Sequence, residues 1–203
     1  MTGEERLRLA KRPDLAAIAA WVRPGSAVLD LGCGDGLLLR HLAETRGVRG
    51  YGVEIEDEKV IASVANGVNV IQGNLEGGLS GFDTASFDYV ILSLTLQAVR
   101  HTAEILGEML RVGREAIVTF PNFGYWRHRW QVLRGRMPVS EELPYQWYDT
   151  PNVHLCTIRD FEAFCATHAI RVLERLVLDR GEPVRVLPNL RGSLAVFRFE
   201  RAA

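Results

Sequence analysis

The sequence predicts an α/β protein whose core is a doubly wound, mostly parallel sheet of about seven strands with an antiparallel terminal strand. Short, strongly apolar segments bounded by Gly and Pro alternate with segments of helical periodicity. The apolar segments lack the polar alternation of a half-exposed sheet, so helices should cover both faces. At 203 residues, 47% of them hydrophobic, the chain suits one domain with a sizeable core. We therefore interpret residues 1–203 as a single domain.

Local signals place the individual elements. A Pro-Asp pair at 13–14 opens the first helix, and a Pro-Gly pair at 24–25 ends it. A Thr-x-x-Asp capping box at 157–160 begins the last long helix. The final two strands are joined by a Gly- and Pro-containing connection, so they should pair antiparallel at one edge of the sheet. The predicted strands are residues 27–31, 50–55, 68–72, 87–93, 115–120, 171–178 and 194–199; the predicted helices are 15–22, one that begins at Gly36, 57–65, 102–112 and 158–168.

An aromatic-rich segment at about 123–152 interrupts this alternation, and we expect it to form an insertion or flap. Of the four Trp, five Tyr and eight Phe residues, seven lie between residues 123 and 149. Trp126, Trp130 and Leu133 share one helical face, while neighbouring Arg and His side chains point in other directions. This pattern favours either a packing face with a solvated rim or an exposed docking surface.

Charge and composition argue against several classes of function. Twenty-four Lys and Arg residues against 25 Asp and Glu give a formal charge of −1, which does not suit a nucleic-acid partner. The chain begins without a leader-like segment and has no apolar run of about 18 residues, so we expect a cytoplasmic protein without membrane contact. The three cysteines form no Cys-x-x-Cys pair, so we predict neither a disulfide framework nor a metal site. Assembly into a homo-oligomer stays open.

The most informative motif is DLGCGDG at residues 30–36, between the first strand and its helix, with Glu54 at the end of the next strand. The glycines allow a sharp turn and close backbone approach, and Glu54 can accept hydrogen bonds from both hydroxyls of a ribose. The third glycine comes one residue too early for a dinucleotide-binding loop, and the acids of the motif would repel phosphates. An acidic cleft instead suits a nucleoside that carries ammonium and sulfonium charges. The glycines are Gly32, Gly34 and Gly36, and the acids are Asp30 and Asp35.

Residues 24–123 resemble the class I S-adenosylmethionine-dependent methyltransferases, which have a Rossmann-like fold. The resemblance implies that S-adenosylmethionine, or its product S-adenosylhomocysteine, binds with the three glycines against its methionyl and ribose parts. It also implies that Asp30 lies near the amino group and Glu54 on the ribose hydroxyls. Asn74 and Leu75, after the third strand, stand where this family commonly contacts adenine.

A narrower resemblance runs nearly from end to end. FPNFGYW at 120–126, RGRMP at 134–138, LPYQWYDTPN at 143–152 and HLCT at 154–157 look like the methionine biosynthesis protein MetW family. These motifs are long and uncommon. The resemblance implies that the chain works beside a homoserine O-acyltransferase in methionine synthesis, and it implies no methyl acceptor.

Catalytic residues are not evident from the motifs. Methyl transfer from a sulfonium is an in-line displacement that alignment alone can promote, so a base is optional. The fourth strand ends in SLTLQ at 93–97 and lacks the Asp/Asn-Pro-Pro-aromatic sequence of many amino-methylating relatives. His154 is a weak candidate base or ligand, with a structural role as the alternative. Cys33 lacks a partner that would activate a thiol, so we interpret it as a loop residue, and Cys156 and Cys165 as small core residues.

The leading hypothesis is therefore an S-adenosylmethionine-binding, methyltransferase-like protein of methionine biosynthesis that acts with a homoserine O-acyltransferase. One alternative is an independent small-molecule O- or C-methyltransferase whose acceptor lies under residues 123–149. Another is a scaffold subunit without a cofactor. Because S-adenosylmethionine is made from methionine, its occupancy of the cleft could also report pathway output to the partner.

Overall fold

Strands and helices alternate along the chain in the computed structural model, which describes residues 12–202. The strands are β1 (Ala27–Leu31), β2 (Arg49–Glu54), β3 (Asn69–Gln72), β4 (Phe87–Ser93), β5 (Gly113–Pro121), β6 (Ile170–Asp179), β7 (Glu182–Pro183) and β8 (Leu194–Arg201). The helices are α1 (Pro13–Trp21), α2 (Leu37–Arg46), α3 (Asp57–Ala65), α4 (Thr102–Val112), α5 (Trp126–Leu133), α6 (Ile158–Thr167) and α7 (Pro188–Arg191).

All strands belong to one sheet, in the order β3-β2-β1-β4-β5-β8-β6-β7. Neighbours among β1 to β5 are parallel, whereas β8 is antiparallel to β5 and β6 is antiparallel to β8. This arrangement confirms the predicted doubly wound sheet with antiparallel strands at its C-terminal edge. The strand order reverses at β1, which lies between β2 and β4. Crevices at such points bind ligands in open α/β sheets.

Within residues 12–202 the sheet has eight strands, so the predicted number of seven was wrong by one. The extra strand, β7, pairs only two residues with the end of β6. It follows a two-residue turn in which Arg180 and Gly181 both have positive φ, as a type I′ hairpin requires. A strand this short has no apolar segment that could identify it in the sequence. The ends of the predicted strands and helices lie within two residues of the observed ends.

Two apolar cores lie on the opposite faces of the sheet. On β1, Leu29 and Leu31 belong to the core that α4 and α6 cover, whereas Val28 belongs to the core that α1 and α2 cover. The alternation follows from the period-two geometry of a strand. Burial of both faces explains why the strands read as continuous apolar segments. None of the helices within residues 12–202 is long and apolar enough to cross a membrane.

Asn122, directly after β5, connects the start of the aromatic-rich segment to the rest of the domain through side-chain hydrogen bonds. Its side-chain amide nitrogen donates to the carbonyl oxygens of Asn189 (3.1 Å) and Gly192 (2.8 Å). Its amide oxygen accepts from the backbone N–H groups of Gly124 (3.0 Å) and Ile158 (3.3 Å). The residue is fully buried and uses all four of its side-chain hydrogen-bonding positions. The FPNFGYW motif is therefore a structural junction between β5, α6 and α7.

Replacing Asn122 with Ala should destabilise the protein strongly, because two buried donors and two buried acceptors lose their partner. We expect the free energy of unfolding to fall by about 2–4 kcal/mol. Urea unfolding followed by circular dichroism measures this change. As the control, Asn69→Ala at the exposed start of β3 should change it by less than about 0.5 kcal/mol. Equal effects of the two substitutions would contradict the structural role of Asn122.

Candidate functional site

The glycine turn between β1 and α2 is left-handed at three positions. Gly32, Gly34 and Gly36 have φ values of +69°, +60° and +75°. A Cβ atom at Gly32 would come within 2.8 Å of Thr95 Oγ1, and one at Gly36 within 2.8 Å of Val68 Cγ2. A Cβ atom at Gly34 would meet nothing within 4 Å. Two of the glycines are therefore needed for packing within the protein. Gly34 leaves open space where a side chain would stand, while its N–H donates to Glu54 and its carbonyl oxygen accepts from Ser63.

Glu54, the last residue of β2, holds this turn in place. One carboxylate oxygen accepts the backbone N–H of Gly34 at 2.9 Å. The other accepts the backbone N–H groups of Ile55 (2.8 Å) and Glu56 (3.1 Å). The side chain is buried. Because charge-assisted bonds to backbone amides stabilise a buried carboxylate, Glu54 fixes the turn against the neighbouring strand.

Asp30, near the end of β1, is buried without such partners. It is 3% exposed, and its carboxylate accepts no hydrogen bond from any residue in the 12–202 range. Burial raises the pKa of Asp30 to about 7, although Arg12 lowers it and Glu54 raises it further. A buried carboxylate that lacks donors favours either a proton or a cationic ligand.

A cleft of about 540 Å³ opens beside these residues at the carboxyl ends of β1 and β4. Its polar lining comes from Arg12, Asp30, Asp35, Lys59 and Ser93, and leucines of α1 and α2 supply apolar lining. The volume suits a small-molecule ligand. Among the described residues, no group of three or more His, Cys, Asp or Glu side chains is placed to hold a metal ion.

The candidate binding residues do not all reach this cleft. Asp30, Gly32 and Gly34 line it, and Glu54 adjoins it through its bond to Gly34. Gly36 lies behind the turn against Val68.

Asn74 and Leu75 follow β3, outside the lining of the cleft. The Asn74 side-chain oxygen accepts the backbone N–H of Glu76 at 2.9 Å and so caps a short 3-10 turn. Leu75 packs against the core on the α4 side of the sheet. Their contact with an adenine ring stays a prediction.

Arg12 and Ser93 line the cleft, and sequence reasoning missed both. Arg12 donates from Nε and Nη2 to the two carboxylate oxygens of Asp14, at 2.9 and 2.7 Å, and from Nη2 to Ser93 Oγ at 3.0 Å. Asp14 is fully buried and also hydrogen-bonds Ser93 Oγ at 3.1 Å. The sequence marks Arg12 only as the residue before a helix. Nothing local indicates that this helix begins beside the end of β4.

His154, the weak catalytic candidate, lies outside the cleft. It is exposed, and its Nε2 lies 2.9 Å from the carbonyl oxygen of Arg100. A carbonyl oxygen can only accept, so Nε2 carries the hydrogen. His154 lines a separate, largely apolar cavity of about 200 Å³ together with Leu96 and Phe161.

The cysteines are free thiols. Burial raises the pKa of Cys33 to about 12, so it remains protonated at neutral pH and is a poor nucleophile. Its sulfur packs closely against Gly52, where a Cβ atom would come within 2.3 Å. Cys165 is buried in the core and Cys156 packs against it, as predicted.

Helix α5 turns its aromatic face outward. Trp126, Trp130 and Leu133 are 47%, 49% and 75% exposed, so of the two interpretations of this face the packing one is wrong and the face is an exposed surface. His128 is fully buried instead. Its ring nitrogens lie 3.2 Å from the carbonyl oxygen of Asn122 and 3.0 Å from Ser140 Oγ, and burial lowers the pKa of His128. Because both of its ring nitrogens are hydrogen-bonded, the His128 imidazole can be buried in the interior, while the apolar side chains of the helix lie at the surface.

The exposed aromatics form one continuous surface with the loop that follows α5. Trp130, Met137 and Trp147 line a groove of about 900 Å³, and Trp147 and Tyr148 form an edge-on pair with centroids 5.7 Å apart. The guanidinium of Arg134 lies 4.7 Å from the centroid of the Trp130 ring. We call this the aromatic surface; its members are Trp126, Trp130, Met137, Trp147 and Tyr148.

The family model described as methionine biosynthesis protein MetW matches residues 12–199. The chain belongs to the MetW family. The protein named bifunctional methionine biosynthesis protein MetXA/MetW, from Rhodopirellula baltica, is 38% identical over 202 residues that cover 93% of this chain. The match covers 32% of that relative, so this MetW-family chain spans about a third of the length of the curated relative it matches.

Solved structures share the fold of this MetW-family chain at low sequence identity. A SAM-dependent methyltransferase from Archaeoglobus fulgidus matches with a TM-score of 0.72 and 12% identity, over 96% of this chain and 94% of that one. A S-adenosylmethionine-dependent methyltransferase from Mesorhizobium loti matches with a TM-score of 0.70 and 16% identity, over 93% and 98%. These similarities confirm the Rossmann-like methyltransferase fold.

Replacing Asp30 with Asn should stabilise this MetW-family protein, and more so at high pH. In the unfolded chain Asp30 ionises near its ordinary pKa of 3.8, whereas in the folded protein its pKa is about 7. Its ionisation therefore lowers stability progressively as the pH rises from about 4 to 7. We expect Asp30→Asn to raise the free energy of unfolding by roughly 1–3 kcal/mol at pH 8 and by much less at pH 4.

Urea unfolding at the two pH values measures this difference. The exposed Asp83→Asn substitution is the control and should show no comparable pH dependence. An Asp30→Asn protein that is less stable than the wild type at pH 8 would show that the carboxylate is well solvated or paired.

Proposed function

We propose that this MetW-family protein binds S-adenosylmethionine in the cleft at the end of β1 and acts with a homoserine O-acyltransferase in methionine biosynthesis. The observation that carries the first half is the Asp30 carboxylate, which is buried beside the cleft and accepts no hydrogen bond from residues 12–202. A ligand with ammonium and sulfonium charges would compensate this carboxylate in a partly dry site. Phosphate-containing nucleotides would instead bring further negative charge close to the carboxylate.

The surrounding residues fit the other parts of the same ligand. Gly34 lines the cleft and leaves open space where a side chain would stand. Glu54 bonds to Gly34, and its carboxylate oxygens retain accepting capacity for ribose hydroxyls. Asn74 and Leu75 are the proposed adenine contacts. When bound, S-adenosylmethionine supplies an electrophilic methyl group, and the residues of the chain bind and orient it.

Titration calorimetry with S-adenosylmethionine and S-adenosylhomocysteine tests this half of the proposal. We expect both to bind, and Glu54→Gln to weaken binding by roughly 1.5–3 kcal/mol because an amide is a poorer acceptor for the ribose hydroxyls. Glu56→Gln is the matched control, since Glu56 is exposed and pairs with Lys59. Thermal unfolding shows that the variants remain folded. Unchanged affinity in Glu54→Gln would exclude its ribose role, and a wild-type protein that binds neither ligand would favour a scaffold without a cofactor.

The second half of the proposal concerns the partner. The Rhodopirellula baltica relative is named for both MetXA and MetW, and the family resemblance implies a homoserine O-acyltransferase as the partner. The aromatic surface supports a docking role, because Trp147 and Tyr148 are 72% and 71% exposed. Exposed Trp and Tyr beside Arg have the composition of energetically dominant interface residues. We therefore place the partner on the aromatic surface.

Replacing both Trp147 and Tyr148 with Ala should weaken binding of the homoserine O-acyltransferase from the same genome by roughly 10- to 100-fold, as expected for interface anchors. Surface plasmon resonance with the two purified proteins measures the affinity, with and without S-adenosylhomocysteine. Ile61→Ala, an exposed apolar residue of α3, is the control. Normal partner binding by the double variant would exclude the aromatic surface, and failure of the wild type to bind would exclude the partner. An affinity independent of the ligand would exclude reporting of pathway output.

A second cleft favours one competing function, an independent O- or C-methyltransferase. It measures about 650 Å³ and shares Arg12 with the first cleft. Glu141 and Glu142 of the aromatic-rich segment contribute to its lining, together with Ser193 at the start of β8. A methyl acceptor could bind there next to the proposed sulfonium. Transfer of a labelled methyl group from S-adenosylmethionine to a cellular metabolite would support this function, and no transfer would exclude it.

A further inference from the structure

We propose that the groove of the aromatic surface binds an acidic segment of a protein partner, with an apolar side chain against Trp130 and Trp147 and carboxylates on Arg134 and Arg136. This inference rests on the docking of the partner proposed above, and it adds the chemistry of the partner's own surface. It follows from the charge of the aromatic-rich segment, the free donors of its arginines and the fixed shape of the groove.

The segment that carries the groove is strongly basic, although the chain as a whole is slightly acidic. Residues 123–140 contain four arginines and neither Asp nor Glu, whereas the whole chain has a formal charge of −1. The rest of the chain is therefore acidic, and positive charge is concentrated beside the exposed tryptophans. A local concentration of one sign of charge favours a partner of the opposite sign. The four are Arg127, Arg129, Arg134 and Arg136.

All four arginines are exposed, and none of them pairs with a carboxylate of residues 12–202. Eight other arginines of that range do form such ion pairs. The guanidinium of Arg134 instead lies 4.7 Å from the centroid of the Trp130 ring, and that of Arg127 lies 5.4 Å from the centroid of Trp126. A contact with a ring face uses no N–H donor, so these guanidinium groups can still bind a carboxylate.

The groove combines two of these cations with apolar lining. Arg134 and Arg136 line it together with Trp130, Met137 and Trp147, and no Asp or Glu of the described residues belongs to the lining. A groove of this composition can hold an apolar side chain and bind carboxylates next to it. An uncharged apolar partner would instead cover the two guanidinium groups without pairing them, which is costly.

Hydrogen bonds fix the shape of the groove before a partner arrives. The side chain of Gln131 donates from Nε2 to the carbonyl oxygen of Val139 at 3.0 Å, and its Oε1 accepts the Val139 N–H at 2.8 Å. The backbone N–H of Arg136 donates to the Gln131 carbonyl oxygen at 3.0 Å. Gly135, between the two arginines, turns the chain with a φ of +74°. Because these bonds close the loop after α5, little conformational entropy is lost when a partner binds.

The same features favour a protein over a nucleic acid, which also binds Arg and aromatic side chains. Met137 and Val139 add aliphatic lining, which suits an apolar side chain better than a stacked base. Glu141 and Glu142 follow the basic segment directly in the chain. They would repel a phosphate backbone that continued beyond the groove, whereas a protein can place its carboxylates only where the arginines lie.

Reversing the charge of the groove tests the charge of the partner's surface. The double variant Arg134→Glu with Arg136→Glu should bind the purified homoserine O-acyltransferase roughly 100-fold more weakly than the wild type, because attraction becomes repulsion. Arg134→Lys with Arg136→Lys keeps both charges and should bind within about tenfold of the wild type. Surface plasmon resonance measures the affinities, and thermal unfolding shows that the variants remain folded.

A matched control reverses two exposed arginines at the opposite end of the sheet. Arg49→Glu with Arg201→Glu changes the net charge by the same amount at the start of β2 and the end of β8. It should alter the affinity by less than about threefold, since distant exposed charges are screened. Raising NaCl from 50 to 500 mM should weaken wild-type binding roughly tenfold, and the Arg134→Glu, Arg136→Glu variant should lose this dependence.

Zero-length crosslinking tests the chemistry of the contact directly. A carbodiimide joins a lysine amine to a carboxylate through an amide bond and takes up the water that is lost. The chain has only two lysines of its own, Lys11 and Lys59, so the background is low. In the complex of the Arg136→Lys variant, mass spectrometry should find position 136 joined to an Asp or Glu of the acyltransferase.

The outcomes separate this inference from the docking proposal. If the Arg134→Glu, Arg136→Glu variant binds as tightly as the wild type while replacement of Trp147 and Tyr148 weakens binding, the aromatic surface docks the partner and the acidic contact is overturned. A complex without a crosslink at position 136 would also overturn it. Failure of the wild type to bind the acyltransferase would remove both proposals. A short single-stranded RNA that binds the groove and displaces the acyltransferase would assign the groove to nucleic acid instead.

Discussion

The bonds from Glu54 to three backbone amides are the constraint on which the rest of the cleft depends. The bond from Gly34 joins the end of β2 to the glycine turn that follows β1, and the bonds from Ile55 and Glu56 fix the Glu54 carboxylate at the end of its own strand. Burying a carboxylate is costly, and charge-assisted bonds to N–H groups offset that cost only when the donors are already in place. The left-handed glycines put one of those donors there. The carboxylate and the turn thus stabilise each other, and open space lies where a side chain at Gly34 would stand.

Asp30 and Glu54 show how two carboxylates of similar burial can differ in role. Glu54 has backbone donors, whereas Asp30 has none within residues 12–202 and is opposed by the charge of Glu54. A folded domain rarely keeps an uncompensated buried carboxylate for stability alone, since the group lowers the free energy of unfolding. Glu54 therefore belongs to the framework of the cleft. Its position beside the cleft suits Asp30 to the positively charged ligand that we propose there.

The fold and the glycine turn could be predicted because their signals are local. Apolar runs identify strands, and three glycines followed by an acid at the next strand end identify the turn, from neighbours in sequence alone. The contribution of Arg12 to the cleft could not be predicted, because it depends on a hydrogen bond to Ser93, some eighty residues away. The sequence did not decide between packing and exposure of the aromatic face of α5 for a related reason. Periodicity indicates which side chains share a face, but distant hydrogen-bonding partners made His128 the buried member.

The same partners connect the aromatic surface to the cleft. Ser140 Oγ lies 3.0 Å from His128 Nε2 and 3.2 Å from a carboxylate oxygen of Glu142, and Glu142 accepts a hydrogen bond from Ser193 just before β8. Glu142 lines the second cleft, which shares Arg12 with the first. Coupling between a ligand and a partner requires a physical element that both contact, and it acts equally in both directions. Here Arg12 lines both clefts, and Glu141 and Glu142 of the aromatic-rich segment line the second one. A displacement of Arg12 by a ligand in the first cleft would therefore act on the segment where we propose that the partner docks.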